Sequence, residues 1–176
     1  MFIFGHIGIT LGIFFGFGII FPRLKTLINP GFLAIGALLP DLIDKPLGRV
    51  IFASTFENGR IIGHTLFFSL ILFLIGLYLY KKKGDIRIIS LTTGSFFHLI
   101  EDQMWVSPNT LFWPFLGLNF PKDHVDSTGM EYLIRLLKNS FTLNFSLSSI
   151  PEVLGIGIIV ILTLHWLIKR SGQNKF

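Results

Sequence analysis

The sequence predicts an all-α fold: a multi-pass transmembrane helical bundle of about five membrane segments, one short or re-entrant, with an outer segment in the interface. Three observations carry this. Of 176 residues, 51% are hydrophobic and only 14% are charged, which leaves too little polar surface to wet a soluble domain. Mean hydropathy is +0.68, as expected of a chain whose solvent is mostly lipid. Apolar runs able to cross ~30 Å of hydrocarbon at ~1.5 Å per residue recur along the chain and close on basic residues. The absence of Cys excludes disulfide scaffolds, thiolate zinc sites and cysteine nucleophiles, so any metal must rest on His and carboxylates. The net charge of +5 comes from basic residues at the ends of apolar runs, where topology accounts for them, and no nucleic-acid partner is expected.

The first span is residues 1–21, interrupted only by His6 and Thr10. Lacking a basic start and a small-residue cleavage site, it reads as a retained span and not a signal peptide. Residues 27–39, bracketed by Pro30 and Pro40, are too short for a comfortable straight crossing and suit a short or re-entrant helix. Residues 61–80 form the next span, closed by Tyr78, Tyr80 and then Lys81, Lys82 and Lys83. Another runs over 86–105. The last covers 153–168, with Glu152 at its start and Lys169 and Arg170 at its end, in keeping with the helix dipole. Residues 106–150 read as an outer lid at headgroup level, rich in Phe112, Trp113, Phe115 and Phe120. Within it Met130, Leu133, Leu136, Leu137 and Phe141 recur at helical spacing, as in a helix lying in the interface. The whole chain, 1–176, reads as one membrane-embedded domain.

With the start outside, nine Lys and Arg fall on the inner side and six on the outer, so the expected location is the cell membrane, multi-pass, start outside and end cytoplasmic. Alternating spans then bring His6, Asp41, Asp44, His64, His98 and Asp102 to one outer level. Three carboxylates left in hydrocarbon would cost ~3 kcal/mol each, together comparable to a domain's net stability. A shared divalent cation would compensate them. His98 and Asp102, four apart, stack on one helical face at a spacing that suits one metal and equally suits a hydrogen-bonded pair. His64 reads as a ligand or as an interfacial histidine at a helix start. Residues 39–44 read as a Pro-led acidic turn, where Asp41 either caps the next turn or ligates a metal. His6 is a ligand or a buried histidine bonded to a carbonyl. Arg60, four before His64, would share its helical face and hold a phosphoryl oxygen, or snorkel to the boundary. His124 is an accessory ligand or water-facing, and His165 lies near the inner boundary. No phosphate loop, dinucleotide fingerprint or nucleophile elbow is present.

The motif order His6, Leu39-Pro40-Asp41, Arg60-x-x-x-His64-Thr65, His98-x-x-x-Asp102 and Leu111-Phe112-Trp113-Pro114 resembles the predicted membrane-bound metal-dependent hydrolases of bacteria and archaea. That family is distantly similar to zinc-dependent phospholipases C and related nucleases. The resemblance implies Asp41, His64, His98 and Asp102 as metal ligands, with His6 completing the site or holding a second ion through a bridging Asp102. Gly59 stands where many members carry His, and Thr65 replaces the usual Ser. One or two divalent ions, with Zn2+ preferred, are expected.

The leading expectation is a membrane-bound metal-dependent hydrolase, a phosphoesterase or phospholipase-like enzyme acting on a phosphoester such as a lipid headgroup through metal-activated water. Arg60 would neutralise charge, and Asp44 or Glu101 would accept or relay a proton. The rivals are an ion- or proton-binding transport protein, which needs polar groups reaching the inner face, and a regulatory scaffold with all histidines packed. Partners are the lipid bilayer and a lipid or phosphoester substrate; oligomeric state is not legible.

Overall fold

The computed structural model describes residues 3–123, 129–141 and 150–173, and all regular structure among them is helical. The elements in order are α1 (Ile3–Ile20), α2 (Leu24–Leu27), α3 (Pro30–Pro46), α4 (Ala53–Phe56), α5 (Leu66–Lys83), α6 (Arg87–Glu101), α7 (Pro108–Leu111), α8 (Gly129–Phe141) and α9 (Ile150–Gln173). Among the described residues α1 and α9 are long and apolar enough to cross a membrane. α5 has the length but spends its last turn on three lysines, and α6 has 15 residues.

Helix α3 departs from expectation. It starts with Asn29 accepting the Phe32 N–H at 3.1 Å and Pro30 in its first turn, and it then runs through Pro40 to Pro46. Pro40 omits one N–H from the ladder without ending the helix. Residues 39–44, expected as a turn, are therefore helical, which puts Asp41 and Asp44 on one face, three residues apart. A π-helical turn over Leu47–Ile51 follows.

α3 lies along α6, α1 joins both, α9 backs α1 and α5 backs α6. Two glycine contacts set these approaches: a Cβ at Gly36 would overlap the Leu91 carbonyl of α6, and one at Gly8 would overlap Gly155 of α9. The interior is inverted relative to a soluble protein. Its buried set includes His6, Thr10, Asp44, His64, Ser95 and His98, all fully shielded, while Ile20, Leu74, Ile161 and Ile168 face outward. In lipid, apolar burial supplies little drive, and polar groups gather where they can satisfy one another.

Candidate metal centre

The polar interior concentrates where α1, α3 and α6 meet the loop leading into α5. That loop is not the helix start expected from the apolar run: Thr65 caps α5 by accepting the Phe68 N–H at 3.0 Å, so residues 61–64 lie outside the helix. Arg60 and His64 thus do not share a helical face. What shapes the loop is Asp44. Its Oδ2 accepts the N–H of Ile61 at 2.7 Å and of His64 at 3.1 Å, and its Oδ1 accepts that of Gly63 at 2.8 Å. A carboxylate on a rigid helix substitutes for the bonds that a helical ladder would have given these amides.

The same Oδ2 accepts from His64 Nδ1 at 2.7 Å. His98 Nδ1 donates to the Ala37 carbonyl at 2.7 Å, and His6 Nδ1 to Glu101 Oε2 at 2.7 Å. Carbonyl and carboxylate oxygens only accept, so each of these three imidazoles, when neutral, carries its proton on Nδ1 and presents an Nε2 lone pair. These lone pairs converge. His64 Nε2 and His98 Nε2 are 3.2 Å apart, and Asp41 Oδ1 is 3.6 Å from the first and 3.7 Å from the second. Asp102 Oδ2 lies 3.8 Å from His64 Nε2. One ligand atom from each of Asp41, His64, His98 and Asp102 can be chosen so that all lie within 4.8 Å of one another.

Such a gathering of acceptors repels itself unless a cation or an added proton sits among them. Tetrahedral Zn2+ with bonds of ~2.0–2.2 Å holds neighbouring ligand atoms ~3.3–3.6 Å apart, close to the separations found. Asp41 Oδ1 is buried with no hydrogen-bond partner, as is His6 Nε2, which faces Asp102 Oδ1 at 3.3 Å. The donor set therefore fits a divalent cation held by Asp41, His64, His98 and Asp102, and His6 lies against the second oxygen of Asp102. The rings of His6 and His98 stack with centroids 4.0 Å apart.

Two cations border the cluster. Lys45 Nζ bonds Asp41 Oδ2, and Arg60 reaches Asp102 Oδ2 from Nε at 3.0 Å and Nη2 at 2.9 Å, with its side chain 43% exposed. Glu101 accepts from Thr10 Oγ1 at 2.8 Å besides His6. Both Asp44 and Glu101, expected to take or relay a proton, stand behind histidines with their oxygens engaged.

The six ionisable residues singled out in the spans, with Arg60 and Glu101, fall in this one neighbourhood. His165 is exposed beside Phe15, away from it, and His124 lies outside the described residues. Thr10, Lys45 and the Ala37 carbonyl were not anticipated. Thr10 and Lys45 carried a signal, each lying four residues after a candidate ligand. The Ala37 carbonyl carried none. Glu152 was read only as a dipole partner of its own helix. It also accepts the N–H groups of Phe4 at 3.0 Å and Gly5 at 3.1 Å, so α9 caps α1 directly before His6.

Fold and cluster define an all-helical membrane protein with a buried His and Asp constellation able to hold a metal ion. The chain belongs to the YdjM inner membrane protein family, whose model matches residues 1–173. That description places it in a membrane and names no chemistry. No curated protein and no solved structure matches the chain.

Proposed function

We propose that the protein is a multi-pass membrane hydrolase of phosphoesters. Asp41, His64, His98 and Asp102 hold a divalent cation, Zn2+ by chemistry of the donors, and His6 with the second oxygen of Asp102 borders a second position. The observation that carries the reading is the convergence of acceptor atoms, with the imidazoles of His6, His64 and His98 each held at Nδ1 so that Nε2 faces inward. A bound Zn2+ would supply a water that ionises near pH ~7 and polarise the phosphoryl oxygens.

The chain's own residues do the rest. Asp44 and Glu101 act as positioning residues that keep His64 and His6 in one tautomer, in place of the proton transfer expected of them from sequence. Arg60, half out of the site, has donors beyond those on Asp102 to offer an anionic oxygen, and Lys45 lies beside Asp41. α1, α3, α5, α6 and α9 form the five crossings of one embedded unit, α3 and α6 spanning ~25 Å or less, with the start outside, the end cytoplasmic and, of the outer lid expected over 106–150, the described residues 106–123 and 129–141 on the outer side. Against a conduction pathway stand the hydroxyls of Ser90, Thr92 and Thr93, each bonded at 2.8 Å to a carbonyl of its own helix.

The test is metal analysis of full-length protein purified without chelator, followed by hydrolysis of p-nitrophenyl phosphodiesters and of phospholipid vesicles with and without Zn2+. Stoichiometric metal, and hydrolysis lost in Asp41→Ala and His98→Ala, are expected. Metal-free protein that binds no added Zn2+ would overturn the reading.

A further inference from the structure

Beside the centre, the faces of α5 and α6 and the segment from Phe112 to Phe115 enclose an apolar groove with a cavity volume of about 500 Å³, within the range of small-ligand sites. It begins at Leu66, two residues after His64, and at Phe96, two residues before His98, and follows α5 to Phe73. These seven residues of helix advance ~10 Å away from the centre. Trp113 stands at the outer end with its ring edge-on to Phe67 at 6.0 Å.

Three residues of this lining carry hydroxyls, Ser69, Thr92 and Thr93. Ser69 lines the groove, is 5% exposed, and its hydroxyl has no hydrogen-bond partner. Ser95, outside the groove, is also without a partner, while three hydroxyls of α6 return to the carbonyl four residues back: Ser90 to Ile86, Thr92 to Ile88 and Thr93 to Ile89. Ser69 does not. A buried donor without a partner calls for an acceptor brought from outside.

We infer that the groove is the seat of one acyl chain of a membrane phospholipid, with the hydroxyl of Ser69, turned about χ1 toward the groove, donating to an ester carbonyl and the phosphoryl group lying at the metal centre. Ser69 is four residues past Thr65, the cap of α5, so it stands about one helical turn, ~6 Å, beyond the loop that carries His64. Lipid is the solvent of the outward faces of α5, where Leu70 and Leu74 are more than half exposed, so a chain enters sideways without crossing water. The assignment deepens the hydrolytic reading by naming its substrate as a lipid, and the seat of the tail is tested separately from hydrolysis.

The experiment uses full-length protein in phosphatidylcholine and phosphatidylglycerol vesicles doped with a phospholipid whose acyl chain carries a diazirine, photolysed and mapped by mass spectrometry. Labelling at Phe67, Leu70, Phe73 and Phe96 is expected to exceed that at the outward residues Ile161 and Ile168 of α9 at least fivefold. Ser69→Trp, which fills the groove, is expected to bring the excess down to background with Zn2+ content unchanged. Even labelling of α5 and α9, or a focus that survives Ser69→Trp, overturns the inference. Absence of metal-dependent hydrolysis with the focus intact would overturn only the catalytic reading.

Discussion

Asp44 joins fold and site through one carboxylate, so its removal has a calculable effect. Asp44→Ala deprives three buried backbone N–H groups, those of Ile61, Gly63 and His64, of their acceptor and frees the Nδ1 proton of His64. At ~1–3 kcal/mol for each orphaned donor the cost is ~3–9 kcal/mol, a large share of the ~5–15 kcal/mol that holds a domain. Asp44→Asn separates the two roles. With its carbonyl in the Oδ2 position it keeps the Ile61 and His64 bonds, and its NH2 faces only the Gly63 N–H, so the loss is ~1–3 kcal/mol. The negative charge behind His64 is nevertheless gone, and metal affinity is expected to fall ~10–100-fold. Thermal unfolding in detergent and competition against a zinc chelator read the two quantities. Wild-type unfolding in Asp44→Ala together with unchanged zinc affinity in Asp44→Asn would refute the account of Asp44.

The remaining predictions are shorter. Arg60→Ala should leave zinc content near wild type, because Arg60 bonds Asp102 from a half-exposed position, while phosphoester turnover falls at least tenfold; Arg60→Lys should recover it only in part, read by initial rates. Glu152→Ala removes the acceptor of the Phe4 and Gly5 N–H groups and should cost ~1–2 kcal/mol, measured by unfolding in detergent. Gly36→Leu should fail to accumulate in membranes, since even a Cβ there meets the Leu91 backbone, which cannot rotate aside. At the start of α6, Arg87 bonds the carboxylate of Asp85 in the preceding loop through side chain and backbone N–H and holds its pKa down to about 2. The pair's contribution should be full above pH ~4 and fade as pH falls through about 2, followed by carboxyl NMR.

What the sequence by itself determined was the solvent and the candidate donors. Composition set the membrane environment, and apolar runs located α1, α5, α6 and α9 to within about five residues at each end, because lipid exposure demands long apolar runs whatever the packing. Residue chemistry also marked His6, Asp41, His64, His98 and Asp102, since ionisable groups in apolar runs are costly enough to be noticed. Tertiary structure decided the rest. Pro40 looked like a stop, yet α3 continues through it, because packing along α6 outweighs one missing hydrogen bond. The approach to α5 looked helical, yet it is a loop, because Asp44, far off in sequence, bonds amides that no local pattern assigns to it. The inward aim of each Nε2 depends on what Nδ1 meets, and the Ala37 carbonyl and the Asp44 carboxylate become partners only when the helices close. Identity of a ligand is a property of a side chain; its direction is a property of contacts between distant segments.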